Sequence, residues 1–581
     1  MKKSTKISIY ILIGISIFIG LTYLSSGLIL KGILQKKIEN QHIADIYKIE
    51  FKNAYFDIFN MGFTVTGLEL IPDSTEDIML NYKYHKQIAH INIKRAAITS
   101  FDILLFLQEQ QIDINKIRII KPQVKLYKNK DFINKKAITQ KDSSKHNSET
   151  TIDLISLDEI LFKDFSLEYY ITSTERPDLY IKSINISLIN PVIDHKKFPE
   201  INKVLTIDEI KMNMQGISFF DKNGLYEIEL KNLILDDENS SVLLNNLSIS
   251  PRLSKKEFAK RSPFQIDRFD GKVKQINIKQ IDIAQYLDDG VLIIDHIIVD
   301  DANFEIYRDK NFPFNTNNLP KLPQQAIRHI KQALAINTID LTNVDLVYME
   351  TAEGVTKPGK IEFKNTEAHI SHFGNTKDWQ SSQEMKIELK TQVYGKGNLI
   401  AQFNFPLASN TFYFSGQLAK TQMDIFNEMT INAAGIKVKE GIIDKMSFDV
   451  VATSTKATGN LDLYYHDLKI ALLKDENENG QVKEKKMLNF LANNLLVPVQ
   501  NPNKNGQFYE AKIDFDRVKN KGVLNYLWKS IFSGIKDTFL KDHKDEQSYS
   551  KKNAKSNSGL SKRELRKKAR QEKRDKKNNS K

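Results

Sequence analysis

Phe101-Asp-Ile-Leu-Leu-Phe-Leu107 aligns with Ile281-Asp-Ile-Ala-Gln-Tyr-Leu287, 180 positions later, and the match continues without a gap from 101–132 to 281–312. Eight of these 32 positions are identical, among them Ile117 with Ile297, Tyr127 with Tyr307, Lys130 with Lys310 and Phe132 with Phe312. Self-similarity at a fixed offset marks a repeat architecture. What repeats is a structural unit (helix, strand, turn, strand) that carries no catalytic side chain.

The strand half of the unit is apolar at positions 0, 2, 5, 7 and 9. One copy reads Ile117, Ile119, Pro122, Val124, Leu126; a second reads Ile160, Phe162, Phe165, Leu167, Tyr169. A third reads Ile297, Val299, Ala302, Phe304, Ile306, and a fourth Ile339, Leu341, Val344, Leu346, Tyr348. Period-two alternation makes one face of a strand apolar and leaves the other wet. The phase slips once between positions 2 and 5, which predicts a short turn or bulge there. Helical preludes are expected before three copies: Asp102–Gln110 with Ser100 as N-cap, a helix opened by Asp282, and Pro323–Leu334. The polar stretch Asn134–Thr151 before Ile160 reads as a loop or linker.

Beyond the units the pattern stays strand-like, as in Leu225–Leu230, Gly271–Ile278, Met385–Val393 and Leu461–Tyr464. Turn signals stand at Lys222-Asn-Gly224, Tyr394-Gly-Lys-Gly397 and Asn479-Gly480. The expected fold is mostly β: an N-terminal transmembrane helix, then an elongated, curved antiparallel sheet, groove-like and repeat-built, with short amphipathic helices. Two stacked sandwiches are the rival. About 25 strands at roughly 4.8 Å spacing would make a sheet about 120 Å long.

The 581 residues exceed one ordinary core. The expected division is 1–6 cytoplasmic, 7–30 anchor, 31–250 and 251–545 as two β-rich repeat regions, and 546–581 as a basic tail. Ile7–Leu30 contains no charged residue and is long enough to cross a bilayer. It reads as an uncleaved anchor with everything after it exported; a cleavable signal peptide ending near Ser25-Ser-Gly27 is the alternative. The chain has no cysteine, which excludes disulfides, thiolate zinc sites and a thiol nucleophile.

Of the formal charge of +13, residues 551–581 carry +11, from 14 Lys/Arg against Glu564, Glu572 and Asp575. In this tail Lys562, Arg563, Arg566, Lys567, Lys568 and Arg570 are candidates for docking on an anionic surface. A solubilising appendage fits equally. No aromatic platform accompanies the charge, so no nucleic-acid partner is expected. The chain lacks phosphate-loop, dinucleotide, nucleophile-elbow and His-Glu-x-x-His motifs, and no cofactor is expected. His369-Ile-Ser-His372 is a poor chelate in a strand, because residues three apart point to opposite faces. Asp236-Asp-Glu238 and Asp288-Asp289 read as solvated turn acids. An enzyme is not the expected reading.

One order of features runs along the chain. An N-terminal apolar helix precedes Ser100-Phe-Asp-Ile-Leu-Leu-Phe-Leu107 and Ile114-Asn-Lys-Ile-Arg-Ile-Ile-Lys-Pro-Gln-Val-Lys-Leu-Tyr127. Gly459-Asn-Leu-Asp-Leu-Tyr-Tyr-His-Asp-Leu468, Leu491-Ala-Asn-Asn-Leu495 and Trp528-Lys-Ser-Ile-Phe-Ser-Gly534 follow. In this order the chain resembles the AsmA-like proteins of Gram-negative bacteria, relatives of bridge-like lipid-transfer proteins. Lys121-Pro-Gln-Val-Lys-Leu126 matches that family's Pro-x-Val-x-Leu strand, whereas the copies at Ala302 and Val344 lack the proline.

The resemblance implies an inner-membrane-anchored periplasmic protein with an apolar groove, acting in outer-membrane lipid homeostasis. Phospholipid and outer-membrane assembly proteins are the implied partners. The candidate lining is Ile117, Ile119, Val124, Leu126, Ile297, Val299, Phe304, Ile306, Ile339, Leu341 and Leu346. The same alternation would fill a dry β core, in which case the protein is a scaffold without lipid. Gly522–Leu540 is expected to be a helix with Leu524, Leu527, Trp528, Ile531, Ile535 and Phe539 on one face. It would either cap the sheet's open edge or dock on a membrane or partner.

Overall fold

The computed structural model describes residues 31–32, 35–36, 46–57, 61–74, 82–101, 112–132, 154–171, 175–194, 205–473 and 497–539. The anchor Ile7–Leu30, the helix at Asp102–Gln110, the loop Asn134–Thr151, the turn at Asn479-Gly480, the segment Leu491–Leu495 and the basic tail lie outside these residues. Among the described residues no helix is long and apolar enough to cross a membrane.

Among the described residues twenty-three strands form one sheet. They begin with β1 (Tyr47–Glu50), β2 (Asn53–Asp57), β3 (Gly62–Pro72), β4 (Gln87–Phe101), β5 (Ile112–Lys128), β6 (Leu154–Tyr170), β7 (Leu179–Ile189) and β8 (Val192–Asp194). The middle holds β9 (Leu205–Thr206), β10 (Glu209–Phe220), β11 (Tyr226–Asp236), β12 (Ser241–Pro251), β13 (Asp267–Asp282), β14 (Val291–Asp309) and β15 (Ala333–Thr351). The last are β16 (Gly359–Gly374), β17 (Glu384–Val393), β18 (Gly397–Pro406), β19 (Phe412–Leu418), β20 (Thr421–Gln422), β21 (Ile436–Ala452), β22 (Lys456–Leu472) and β23 (Ala511–Asp516). The strands follow one another across the sheet almost in chain order. β2, β8, β9 and β20 share a rung with β1, β7, β10 and β19, which leaves nineteen rungs. The sheet is therefore about 85 Å long at roughly 4.8 Å per rung.

The repeat is a repeat of register. Gln87 pairs with Lys128 and Ile98 with Ile117 between β4 and β5; Asp267 pairs with Arg308 and Ile278 with Ile297 between β13 and β14. Two joints depart from the expected antiparallel order: β5 runs parallel to β6, and β14 parallel to β15. There Ile117 stands beside Ile160 and Ile297 beside Ile339, so neighbouring copies of the unit lie side by side in phase. The chain between these strands is long enough for the crossover that a parallel pair requires.

The phase slip is a kink inside one continuous strand. Lys121, Asp164, Asp301 and Asn343, the fifth residue of each copy, all adopt left-handed backbone, with φ from 51° to 55°. Gly67, Gly216, Asn246 and Asn365 do the same on β3, β10, β12 and β16, in the same row. Gly, Asn and Asp tolerate this conformation best, and seven of these eight residues, all but Lys121, belong to that set. Register shifts accompany the kinks at Phe162/Phe165 and Leu341/Val344. A bulge bends its strand and raises the local twist, so a row of them curves the sheet.

A second kink row passes through Ser100 and Gln280, again 180 residues apart. Ser100 is thus a residue of β4 at φ 54°. Asp282 does cap α2 (Ile283–Asp289), accepting from the Gln285 amide at 2.8 Å; α1 is Lys255–Ala259. The helix expected over Pro323–Leu334 is shorter. α3 ends at Arg328 (Pro323–Arg328), because Leu334–Ile336 are drawn into the ladder beside Leu292–Ile294. Two further short helices are α4 (Lys377–Ser382) and α5 (Asn427–Ala434).

The helix at 523–539, α6, lies on the last strands. Tyr526, Leu527, Ile531, Ile535 and Phe539 join the largest core, with Phe412, Phe414, Val450, Leu461 and Ile513. Leu524 and Trp528 were expected on that face but are 61% and 49% exposed; Ser530 and Thr538 are buried instead. Close approach decides this. A Cβ on Gly534 would meet Leu461 Cβ at 2.8 Å and Ile513 Cγ1 at 2.9 Å, so only small residues fit that stripe. The hydroxyls of Ser530 and Thr538 donate back to the Tyr526 and Gly534 carbonyls. α6 also caps the sheet edge: Asp537 and Ser533 accept from the Lys512 and Asp514 amides of β23.

Candidate functional site

One row of side chains crosses the whole sheet. Ala54 on β2 stands opposite Val65, Val65 opposite Ala96, and Ala96 opposite Ile119, which lies beside Phe162. The row continues through Ile186, Met212, Leu235, Val242 and Ile278 on β7, β10, β11, β12 and β13. It passes Ile297, Ile339, Ile370, Ile387 and Phe403 on β14 to β18. It ends on Phe414, Val450, Gly459 and Ile513. Every rung contributes an apolar residue or glycine. One residue further along the strands the opposite face is polar: Asp340, His369, Glu388, Gln402, Ser415, Asp449, Asn460 and Lys512.

Exposure divides the apolar row in two. From Val65 to Phe403 each member is half-buried, whereas Phe414, Val450 and Ile513 are at most 3% exposed. Ile370, Ile387 and Phe403 pack against the edge of the buried core that α6 covers, and Phe414, Val450 and Ile513 beyond them lie within it. All eleven candidate lining residues fall on the uncovered stretch, and all are half-buried. Ile119, Ile297 and Ile339 lie in the row itself. Val299, Phe304 and Leu341 pack around a small buried cluster of Val273, Ala302 and Val344; Ile297 and Ile339 pack around Ile294, Leu334 and Ile336. Ile117, Val124 and Leu126 on β5 and Ile306 and Leu346 on β14 and β15 extend the same faces. The β5 and β14 groups do not converge on a point. Seven rungs separate them, about 34 Å. The basic candidates Lys562, Arg563, Arg566, Lys567, Lys568 and Arg570 lie outside the described residues.

The polar face carries its own clusters. Asp340 bridges two imidazoles, with His296 Nε2 and His369 Nδ1 each 2.7 Å from one of its oxygens. Burial pushes the Asp340 carboxyl up, but the two histidines outweigh it and hold it below the usual carboxylate range. His372 is turned away onto Trp379, so the two histidines of His369-Ile-Ser-His372 do not meet. Glu209, Asp236 and Glu238 come within 4.8 Å of one another, and Lys211 already sits 2.7 Å from Glu209. A concavity lies along the first kink row, lined by Lys182, Lys231, Asn246, Ser248 and Lys274 among others.

Sequence reasoning missed a set of cations at one end of the apolar face. Lys310 contacts Glu350, and Lys521 and Lys529 approach from the start of α6. The repeat marks Lys310, just past β14, as the match of Lys130, but no motif marks Lys521 or Lys529, which belong to the segment that closes the sheet. No protein-family model matches the chain, and no curated protein matches it.

Proposed function

We propose that the protein is a membrane-anchored periplasmic lipid carrier, in which the half-exposed face from β3 to β18 forms a trough for the acyl chains of phospholipid. The observation that carries this reading is the unbroken apolar row across nineteen rungs, solvent-accessible along most of its length. A contiguous apolar surface on this scale favours an apolar occupant. Each methylene withdrawn from water contributes about 0.8 kcal/mol. Because successive rungs offer Ile, Leu, Val, Met or Phe, neighbouring positions bind similarly and a chain can move between them over low barriers. The AsmA-like resemblance of the sequence supports the envelope setting and the outer-membrane direction of the role.

One observation favours a second reading. The core beneath α6 is dry and closed, with Phe412, Leu461 and Ala511 fully buried, and this end of the sheet suits a scaffold for outer-membrane assembly proteins. Transfer of fluorescent phospholipid between donor and acceptor vesicles separates the two. The full chain should transfer lipid in proportion to its concentration, and Ile297→Asp with Ile339→Asp should abolish transfer while the protein stays folded. A wild-type rate equal to the protein-free rate supports the scaffold.

A further inference from the structure

At the start of β13 and the ends of β14 and β15 the apolar face turns charged. Alternation carries Phe304 and Ile306 to Arg308, and Leu346 to Tyr348 and Glu350, on the same side of the sheet. Arg308 is committed to Asp267 through two hydrogen bonds of 2.6 and 2.5 Å. Glu350 takes the Lys310 ammonium on one oxygen and the Tyr348 hydroxyl, at 2.8 Å, on the other. Both acids are therefore engaged.

Two more cations face this end from the start of α6. Lys521 Nζ lies 5.5 Å from the Phe314 ring centre, and Lys529 Nζ 5.3 Å from that of Phe532. Both lysines are half-buried. Among the described residues neither has a carboxylate within ion-pair distance. Burial holds both ammoniums below the usual lysine range and repulsion from Lys310 adds to it, partly offset by attraction to the Glu350 carboxylate. Withdrawing a cation from water without a counterion is unfavourable. Two such cations beside an apolar surface favour a multivalent anion as their counterion.

We propose that Lys310, Lys521 and Lys529 form an anion site that receives the phosphate of a lipid headgroup where α6 closes the trough. The inference rests on the lipid-carrier reading and adds a headgroup preference and a fixed stopping point. Acyl chains lie along Phe304 and Leu346, and the phosphate meets the Lys521 and Lys529 ammoniums, which make no ion pair, beside Lys310, which is shared with Glu350. Charge-assisted contacts of this kind are the strong ones.

The test uses the full chain in neutral detergent with three probes: dihexanoyl phosphatidic acid, dihexanoylglycerol and inorganic phosphate. The phosphatidic acid should bind about tenfold more tightly than the diglyceride, a difference of about 1.4 kcal/mol. Lys521→Gln with Lys529→Gln should remove that advantage, leave diglyceride binding unchanged and keep or raise the melting temperature. Lys521→Arg with Lys529→Arg should retain it. The basic tail is common to all these proteins, so the difference between them reads the site. Equal binding of the two lipids to the wild type, or an unchanged preference in the glutamine variant, overturns the anion site and leaves the carrier reading standing. Inorganic phosphate binding as tightly as phosphatidic acid overturns the headgroup assignment. Failure of both lipids to bind the wild type overturns the carrier reading and this inference with it.

Discussion

Ile297 lies beside Ile339 in parallel register, 42 residues apart in sequence, and both are half-buried. The same pairing brings Ile117 beside Ile160 in the first copy. In a closed sandwich such a pair would be covered by a second sheet. Here it belongs to a single sheet that α6 covers only at its far end.

The two ends should therefore respond differently to truncation. Phe414, 3% exposed, lies in the closed core. Phe414→Ala should cost about 3–5 kcal/mol. Phe304→Ala, on the open face, should cost about 1–2 kcal/mol, because less area leaves water there on folding. Urea unfolding of both variants checks the difference; equal losses would argue for a covered face.

Gly534 should not tolerate a methyl group. The added Cβ would approach Leu461 and Ile513 to under 3 Å. Gly534→Ala should lower stability by about 1–3 kcal/mol by overpacking, despite the better helix propensity of alanine. Thermal unfolding provides the measurement, and a stabilised variant would contradict the packing of α6.

The kink row predicts opposite effects at equivalent positions. Lys121 holds φ 51° with a long side chain, so Lys121→Gly should gain about 0.5–1 kcal/mol. Asn343→Val, at φ 53°, should lose about 1–2 kcal/mol or more. Melting temperatures moving in the same direction would refute the shared conformation.

Acid should weaken the joint between β15 and β16. Asp345 accepts from Lys364 Nζ at 2.8 Å and from the kinked Asn365 amide at 2.9 Å. Burial pushes its carboxyl up, but these two donors outweigh burial and hold it below the ordinary value of 3.8. A carboxyl lowered by folding contributes stability above its unfolded value and loses it as pH falls through the folded one. Asp345→Asn should therefore be less stable than wild type near neutrality and should lose less stability below about pH 4. Parallel pH–stability curves would exclude this contribution.

Much of this architecture was legible in the chain. The 180-residue offset is the register of β4–β5 repeated in β13–β14, and the phase slip marks the left-handed residues Lys121, Asp164, Asp301 and Asn343. Alternation carries no strand direction, which is why the parallel joints at β5–β6 and β14–β15 could not be read. The burial of α6 was misassigned because helical periodicity weighs Trp528 and Leu524 as apolar, whereas contact distance favours Gly534, Ser530 and Thr538. The open and closed parts of the apolar face share one pattern, so only the position of α6 distinguishes them. Lys310, Lys521 and Lys529 come together from elements far apart in sequence.

The most direct test of the central claim is native mass spectrometry of the full chain released from neutral detergent, with lipid extraction in parallel. The trough predicts several phospholipids bound per chain, lost when Ile297→Asp and Phe304→Asp are combined in a protein that remains folded. A lipid-free, folded wild-type chain would contradict it.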